Sequence, residues 1–403
     1  MGFFYNISIR LYGVLLWLIQ GLNPKAKAWV GGRKSYWSKL PVIHPTEQIY
    51  WFHCASLGEF DQGIPVMNLL KEQDPSLKIL VTFFSPSGME HYQKRKHCAD
   101  YVYYLPLDTP NNAKRFLNHF NPSRIFFIKY EFWLNYLFDA KKRAIPMYSV
   151  SCILRPSQIY FKWYGGFFRK GLHCFTAFFV QNEETKELLQ QIHIQQVSVT
   201  GDTRFDKVIE NKKLVQKDNL IELFLQGEKA IILGSSWSVE EELFHAYYQK
   251  LHLKPKVIIA PHDISEGHLT AIEKTFGSEM IRYSQLDENS NQNILLIDCI
   301  GKLANAYSYG KIAFIGGGFT GKLHNTLEPV VFGLPVLFGP KHRKFPEAEK
   351  FINAGIAFTI QNEAEFTESV HKIENNLLGL QNICLQEIEK STGAATKIIS
   401  KIS

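Results

Sequence analysis

Three charged side chains follow apolar segments of the chain and have the residue types that catalysis uses. Glu59 comes after an apolar run at a glycine turn, Ser56-Leu57-Gly58-Glu59. A carboxylate there acts as a general base if its surroundings raise its pKa, or it interacts with the dipole of the next helix. Glu131 lies in an aromatic patch, where a carboxylate is either solvated at a strand end or part of a site. Arg204 suits phosphate by charge and geometry, or forms a hinge salt bridge.

A glycine-rich stretch, 314–340, has the composition of a nucleotide loop. Its first apolar run breaks at the glycines 316–318, with Gly317 at their centre, and Asn325 and Glu328 follow three residues apart on a predicted helical turn. Glycines let a ligand approach the backbone, and a helix N-terminus favours an anion. The pattern predicts phosphate near the amides and sugar hydroxyls near the carboxylate; the alternative is a tight turn in an α/β domain.

Other sites receive less support from the sequence. Gly316, Gly318 and Gly321 satisfy G-x-G-x-x-G, but that fingerprint should open the first βαβ unit and be followed by an acid ~20 residues on. The motif lies late in the chain, which weakens a dehydrogenase reading. The histidines within 262–268 lack a further ligand cluster, so no metal site is predicted. The chain has neither a Walker A loop nor a nucleophile elbow.

The elements that must position these residues are continuous apolar runs alternating with helical segments from Gln48 onward. Continuous runs are typical of parallel strands covered on both faces. A polar, lysine-rich segment, 206–229, divides the runs into two series. We therefore predict an α/β protein with two doubly wound, Rossmann-like domains facing across a cleft, at 41–205 and 206–403, the latter including the terminal helix.

In doubly wound sheets, ligands bind at the carboxyl ends of the strands. Consecutive strands of the second series end in small or polar residues, which predicts one ligand pocket there. The residues at these ends are Gly234, Ser235, Ser236, Pro261, His262, Asp298, Ile300, Gly301, Lys302, Asn325 and Glu328.

Composition describes an ordinary globular protein. The 403 residues carry 45 Lys and Arg against 38 Asp and Glu, a net charge of +7 spread along the chain. This suits an anionic ligand or a membrane surface, and without a dense basic run no nucleic-acid partner is predicted. The six cysteines show no C-x-x-C spacing, which indicates free thiols in a reducing, cytoplasmic compartment.

The N-terminal segment, 1–40, begins with the most apolar stretch of the chain. A spanning helix needs ~20 mostly apolar residues, and Arg10 counts against a clean span. A signal peptide would have a basic start, which is missing here. We predict a membrane-associated interfacial helix, with Lys25, Lys27, Arg33 and Lys34 facing anionic head groups. The alternative is a first helix packed on its own domain.

The chain resembles the 3-deoxy-D-manno-octulosonic acid (Kdo) transferases of lipopolysaccharide biosynthesis, which have the GT-B glycosyltransferase fold. The motifs that carry the resemblance occur in the same order over nearly the whole length. They are HCASLGE (53–59), VTFFSPSG (81–88), LPLDTP (105–110), YEFWLN (130–135), GDTRFD (201–206), GSSWSVEE (234–241), APH (260–262), IDCIGKL (297–303) and HNTLEP (324–329).

The resemblance implies inverting transfer of Kdo from CMP-Kdo to a lipid A precursor, lipid IVA, on the cytoplasmic face of the bacterial inner membrane. CMP leaves as a phosphate that cationic groups and helix amides can stabilise, so no metal or other cofactor is predicted. Glu59 matches the family's general base, and Glu131 and Arg204 match residues that stabilise the transition state. The CMP-contacting segments of the family match Pro261, His262, Ile300, Gly301, Lys302, Asn325, Thr326, Leu327 and Glu328.

Several positions depart from the family pattern. Lys129 and Leu134 stand where a Glu and a Pro are usual, and Arg204 replaces a Lys. The usual Pro-Arg-His is shortened at Pro261-His262, which removes one arginine, and Arg155 is a possible replacement. Two other functions stay open: a GT-B transferase that uses another donor such as a UDP-sugar, and a sugar-nucleotide-binding protein without catalysis.

Overall fold

The computed structural model describes residues 2–402. Its strands are β1 (Ile49–Cys54), β2 (Lys78–Phe83), β3 (Tyr101–Tyr104), β4 (Arg124–Ile128), β5 (Met147–Cys152), β6 (Ala177–Val180), β7 (Val197–Val199), β8 (Ala230–Ser236), β9 (Val257–Pro261), β10 (Met280–Arg282), β11 (Ile294–Leu296), β12 (Gly310–Ile315), β13 (Val336–Phe338) and β14 (Ala357–Thr359). Its α-helices are α1 (Gly2–Ile19), α2 (Pro24–Arg33), α3 (Leu57–Gln73), α4 (Pro86–His91), α5 (Pro110–Phe120), α6 (Leu134–Lys142), α7 (Gly166–Leu172), α8 (Glu183–Gln191), α9 (Arg204–Leu214), α10 (Asn219–Leu225), α11 (Ser238–Gln249), α12 (Glu266–Phe276), α13 (Leu303–Ser308), α14 (Leu327–Val331), α15 (Pro346–Asn353), α16 (Glu363–Asn375), α17 (Leu377–Ser391) and α18 (Ala394–Ile402).

The described strands form two seven-stranded sheets, and every pairing is parallel. The first sheet has the order β3-β2-β1-β4-β5-β6-β7 and the second β10-β11-β9-β8-β12-β13-β14. Both orders reverse direction next to their central strands, between β1 and β4 in one and between β8 and β12 in the other. A reversal of this kind leaves a crevice at the carboxyl ends of the two strands, where doubly wound sheets bind ligands. The prediction of two doubly wound sheets is confirmed.

Burial follows the expected pattern of a sheet covered on both faces. All six residues of β1 are buried, and so are all five of β9. In the first unit, one core cluster contains Trp51 and Phe127 and the other contains Phe52 and Phe126. Because neighbouring residues of a strand point to opposite faces, these two clusters lie on the two sides of the sheet. Edge strand β10, with the sequence Met280-Ile281-Arg282, was not predicted because it is short, contains a charged residue and is only partly buried.

The chain divides into two compact units, residues 1–207 with 392–403 and residues 208–391. The terminal helix therefore does not belong to the second domain, as predicted from the range 206–403, but to the first. The reason lies in its apolar face: Ile398, Ile399 and Ile402 of α18 are buried in the core cluster that contains Phe52. Asp206 fixes the start of the helix by accepting the N–H groups of Gly393 (2.6 Å) and Ala395 (2.9 Å).

Helix α1 keeps most of its apolar surface exposed. It is long and apolar enough to cross a membrane by length and composition, and Ile9 is its one buried residue among 2–19. Polar contacts hold it on the first unit: Tyr5 donates to Asp108 (2.5 Å), and Asn135 donates to Asn6 (2.9 Å). The helix is thus both packed on its own domain and exposed on its outer side.

The prediction that Arg33 faces head groups is wrong. Its guanidinium donates to the carbonyls of Leu105 (2.9 Å), Trp29 (3.2 Å) and Phe84 (2.9 Å) and lies 3.9 Å from the Trp29 ring centroid. Burial lowers the pKa of Arg33 to about 9. The side chain is turned inward because these carbonyls at the ends of helices and strands accept its N–H groups.

Candidate active site

Glu59 lies at the start of α3, directly after the central strand β1. Its Oε2 accepts the N–H of Ala55 and that of Ser56 (3.2 Å), so the carboxylate caps the helix start. Only 8% of the residue is exposed. Among residues 2–402, no hydrogen bond reaches Oε1. The helix-capping role expected as the alternative is therefore present, and it occupies one oxygen and leaves the other for a ligand.

The surroundings of Glu59 bring it into the range of a general base. Burial, then the negative charge of Glu131, raise its pKa from 4.5 to about 7, while Lys129 and the two amides act in the opposite direction. A carboxyl with this pKa is ionised in a large fraction of molecules at neutral pH and is still basic enough to take a proton. The structure thus brings Glu59 and Glu131 together at the β1–β4 reversal.

Glu131 follows the second central strand of this sheet, β4. Between the end of β4 and Glu131, Lys129 has a φ of 63°, a left-handed conformation that is uncommon for a residue with a side chain. It is held by its N–H, which donates to Val150 (2.8 Å), and by its carbonyl, which accepts from Ser149 (3.1 Å). The Oε2 of Glu131 is buried and has no hydrogen-bond partner among residues 2–402. Strained backbone and an unsatisfied carboxylate at a strand end are features of functional sites.

A buried histidine links this carboxylate to the sheet; it belongs to the motif HCASLGE and was not predicted as a site residue. His53, 1% exposed, has its Nε2 3.1 Å from the indole nitrogen of Trp133 and 3.8 Å from Oε2 of Glu131. Its Nδ1 lies 3.0 Å from Oγ1 of Thr82. An indole N–H can only donate, so Nε2 accepts and the proton is on Nδ1. One signal was available in the sequence: a polar ring inside an otherwise apolar strand, IYWFHC.

Arg204 makes the salt bridge that was expected as its alternative. Its Nε donates to Oδ2 of Asp202 (2.8 Å), and its backbone N–H to Oδ1 (2.9 Å). Burial alone would raise the pKa of Asp202, but Arg204 and the hydrogen bonds outweigh it, and the net change is a lower pKa. Gln62 of α3 donates to the same carboxylate (2.9 Å). Arg204 is thus connected to the helix that carries Glu59, and a role in charge stabilisation stays a prediction.

In the second unit, the glycine turn lies at the β8–β12 reversal. Ser235 has a φ of 52°. A Cβ on Gly316 would lie 1.9 Å from the Ser235 carbonyl oxygen, and one on Gly234 would lie 2.0 Å from the hydroxyl of Tyr307. Gly317 has a φ of 84°, and its N–H donates to the buried Glu240 (2.8 Å). The Gly317 amide is therefore not available to phosphate, and these glycines serve close packing of the strand ends.

Three ring side chains form a small stack beside this turn. The ring of His262 contacts those of both Trp237 and His324, at centroid distances of 4.6 and 4.4 Å. The indole N–H of Trp237 donates to Nε2 of His324 (3.3 Å). Burial, then the proximity of His262, lower the pKa of His324 to about 4, so that this ring is neutral. With Trp237 37% exposed, the stack offers a flat surface to a base. Trp237 and His324 were not predicted site residues.

Several residues predicted to bind the nucleotide sugar form hydrogen bonds to other residues of the second unit or are buried in it. Ser236 is fully buried and donates to Glu241 (2.8 Å), and Lys302 donates to Asp218 (2.8 Å), which raises the pKa of Lys302. Pro261 and Leu327 are also buried, so only their backbone is suited to ligand contact. By contrast, Ile300 is 80% exposed and precedes Gly301 in a left-handed turn (φ 93°).

The segment 325–328 has the predicted geometry, but the helix behind it is short. Asn325 donates to Glu328 (3.0 Å) and accepts the N–H of Leu327 (3.0 Å), so the two polar side chains share one face. Helix α14 has only five residues, too short for the anion-binding N-terminus that the sequence suggested. The Oγ1 of Thr326 is buried without a hydrogen-bond partner among residues 2–402.

Known proteins resemble this chain in sequence. Residues 31–207 match the family model of the 3-deoxy-D-manno-octulosonic-acid transferases (kdotransferases). The chain is 28% identical over 330 residues to the 3-deoxy-D-manno-octulosonic acid transferase of Aquifex aeolicus, covering 80% of this chain and 85% of that protein. The corresponding protein of Haemophilus influenzae is 25% identical over 402 residues, covering 94% and 90%. Over residues 31–207 the chain is therefore similar to the kdotransferases, and both relatives named here are transferases of that kind.

Solved structures agree on the fold of this chain. A UDP-GlcNAc 2-epimerase of Neisseria meningitidis has a TM-score of 0.63 at 18% identity, covering 88% of this chain and 99% of that one. The Acinetobacter baumannii protein MurG has a TM-score of 0.54 at 12% identity, covering 88% and 98%. At these identities the likeness concerns the fold alone, and it confirms the GT-B fold class.

Proposed function

We propose that the protein transfers Kdo from CMP-Kdo to a lipid A precursor, lipid IVA, with inversion at the anomeric carbon and with Glu59 as general base. The observation that carries the proposal is the state of the Glu59 carboxyl. It is buried, its pKa is raised to about 7, and Oε2 is held by two backbone amides while Oε1 accepts no hydrogen bond from residues 2–402.

The proposed reaction is a single displacement. The acceptor hydroxyl oxygen attacks the anomeric carbon of Kdo on the face opposite to the phosphate, and the bond between that carbon and the phosphate oxygen breaks. Glu59 takes the hydroxyl proton, and CMP leaves with the bonding electrons. The leaving group is itself a phosphate that hydrogen-bond donors and cations stabilise, so the bond-breaking step is proposed to need no cofactor.

The two further charged residues of the first unit have supporting roles in this proposal. Glu131 raises the pKa of Glu59 and carries a carboxylate oxygen with no partner among residues 2–402, which is suited to accept a substrate hydroxyl. Arg204, held by Asp202, is proposed to stabilise charge during transfer.

The second unit is proposed to bind CMP-Kdo at the β8–β12 reversal. The support is the stack of Trp237, His262 and His324, which offers a surface to the cytosine ring, and the Asn325–Glu328 pair, which offers an amide and a carboxylate to sugar hydroxyls. Since the Gly317 amide is bound to Glu240, the phosphate contact is proposed to come from other groups of the segment.

The proposed place of action is the cytoplasmic face of the bacterial inner membrane. Support comes from the exposed apolar side of α1, on which Phe3 is 71%, Leu15 54% and Leu18 64% exposed. An apolar helix face of this kind binds a membrane when it is buried at the boundary between the lipid head groups and acyl chains. The enzyme would then lie close to its acceptor, which is itself a lipid.

The test is product analysis with the purified full-length protein. Incubation with CMP-Kdo and a tetraacylated lipid A precursor should give a product heavier by one or more Kdo residues in mass spectrometry. Glu59→Gln should give none above background while still binding CMP-Kdo. Transfer from a UDP-sugar but not from CMP-Kdo would establish the alternative donor, and binding of CMP-Kdo without any product would establish a non-catalytic protein.

A further inference from the structure

A cavity of about 720 Å³ in the first unit runs along α1 and includes Glu131 in its lining. The rest of the lining is almost wholly apolar and aromatic, with Tyr5, Phe84, Trp133 and Phe167 among its rings. Among the described residues that line it, Glu131 alone is charged. The cavity therefore joins a carboxylate of the candidate active site to a volume typical of sites for small organic ligands.

The walls of this cavity are fixed by packing. The rings of Phe84 and Trp133 lie 4.4 Å apart, and Tyr12 stacks on Phe84 at 6.2 Å. Trp133 directs its N–H to His53, so the remainder of its ring contributes apolar surface. The hydrogen bond from Tyr5 to Asp108 holds α1 in place (2.5 Å). A cavity with such walls exists before its ligand arrives.

The position of the cavity on α1 indicates where the ligand enters. Ser8 and Tyr12 line it. Leu11 and Leu15, which lie beside Ser8 on the helix, are 62% and 54% exposed and are not among the lining residues. The cavity thus lies on the flank between the outward apolar face and the packed face. Its apolar lining is continuous with the face that we propose to contact the membrane.

We propose that this cavity takes one fatty acyl chain of the acceptor lipid, and that the chain directs the reacting hydroxyl to Glu59 and Glu131. This deepens the proposed function and rests on it. The occupant is a neutral alkyl chain because the lining is apolar and its single charge is a carboxylate, which repels the phosphate or carboxylate head group of an anionic lipid. The cavity selects acylated over deacylated acceptors.

Ser8→Trp tests the proposal, because Ser8 is exposed at the cavity and a tryptophan there fills part of the volume. Leu11→Trp is the matched control: it adds the same ring to the same helix at a residue that is 62% exposed and does not line the cavity, and it keeps the surface apolar. Each full-length variant is assayed with CMP-Kdo and two acceptors, the acylated lipid A precursor and the same saccharide after removal of its acyl chains. Thermal unfolding and CMP-Kdo binding show that each variant is folded.

Ser8→Trp should raise KM for the acylated acceptor about tenfold, as expected if about two methylene groups lose their burial, with little change in kcat. Its KM for the deacylated acceptor and both constants of Leu11→Trp should equal those of the wild type. The proposal is overturned by an unchanged KM for the acylated acceptor, or by equal losses on both acceptors, which would indicate disturbance of Glu131. It is also overturned if Ser8→Trp alters only binding to phospholipid vesicles, since the cavity would then hold a membrane lipid.

Failure of the proposed function gives a different result: the wild type then transfers no Kdo to either acceptor, and the acyl-chain proposal falls with it.

Discussion

Glu59→Gln separates the general-base role from the helix-capping role, because glutamine retains one of them. The amide oxygen of glutamine can accept the N–H groups of Ala55 and Ser56 as Oε2 does now. It cannot take a proton from a hydroxyl. Loss of the base is expected to lower turnover by roughly two to four orders of magnitude, with CMP-Kdo binding unchanged.

The same substitution should alter the pH dependence of stability. A carboxyl whose pKa rises from 4.5 in the unfolded chain to about 7 in the folded protein binds its proton more tightly when folded. The resulting stabilisation is complete below pH 4.5 and is lost as the pH rises through 7. By linkage, the free energy of unfolding then falls by roughly 3 kcal/mol on account of this group.

Urea unfolding at several pH values between 4 and 9 measures this. The difference in unfolding free energy between the Glu59→Gln variant and the wild type should increase in favour of the variant as the pH rises, because glutamine does not ionise. Other buried acids such as Asp108, whose pKa burial raises to about 6, contribute equally to both proteins and cancel in the difference. The wild-type kcat/KM should rise with pH and level off above about 7.

Two results would refute this reasoning. Near-normal turnover of Glu59→Gln would show that the carboxylate only caps α3. A difference in stability that does not vary with pH would show that the pKa of Glu59 is not raised in the folded protein. A raised pKa could then not explain how Glu59 acts as a general base.

Four further predictions concern other parts of the site. Glu131→Gln should move the rising limb of the pH–rate profile to lower pH, because the negative charge that raises the pKa of Glu59 is removed; a limb that stays in place would contradict the electrostatic coupling. Glu328→Ala should weaken CMP binding about tenfold in calorimetry at an unchanged unfolding temperature, and equal affinity would remove the residue from the site. Transfer should continue in EDTA, and activity lost there and restored by Mg²⁺ or Mn²⁺ would disprove the metal-free mechanism. Replacing Leu15 and Leu18 by glutamate should release the protein from anionic vesicles in a flotation assay, whereas unchanged flotation would place the membrane contact elsewhere.

The sheets and the place of Glu59 were predictable from local sequence. Continuous apolar runs such as those of β1 and β9 report burial on both faces, and a glycine turn with an acid after such a run reports a strand end. The sequence could not show which runs are neighbours in the sheet. The charge interaction of Glu59 with Glu131, which adds to burial in raising the pKa of Glu59, depends on the pairing of β1 with β4. The chain separates these strands by more than an intervening βα unit.

Wrong predictions concern side chains whose partners are distant in sequence. Arg33 was expected to face lipid, but its N–H groups find carbonyls near residues 84 and 105. The Gly317 amide was expected to face phosphate, but Glu240 accepts it. The last helix was assigned to the second domain by continuity, although its isoleucines are buried in a core cluster of the first unit. In each case a tertiary contact decides, and residue type alone carries no information about it.

The two sheets use the same topological position in different ways. At each reversal a residue with a side chain adopts a left-handed conformation just after a central strand, Lys129 after β4 and Ser235 at the end of β8. In the first unit, this turn precedes Glu131 and leaves a carboxylate oxygen without a partner among residues 2–402. In the second, it directs a carbonyl at Gly316 so closely that only glycine fits. Similar backbone geometry thus gives a titratable site in one unit and a tight turn in the other. Of the two strained positions, Lys129 is the one that lies beside a reactive group, the carboxylate of Glu131.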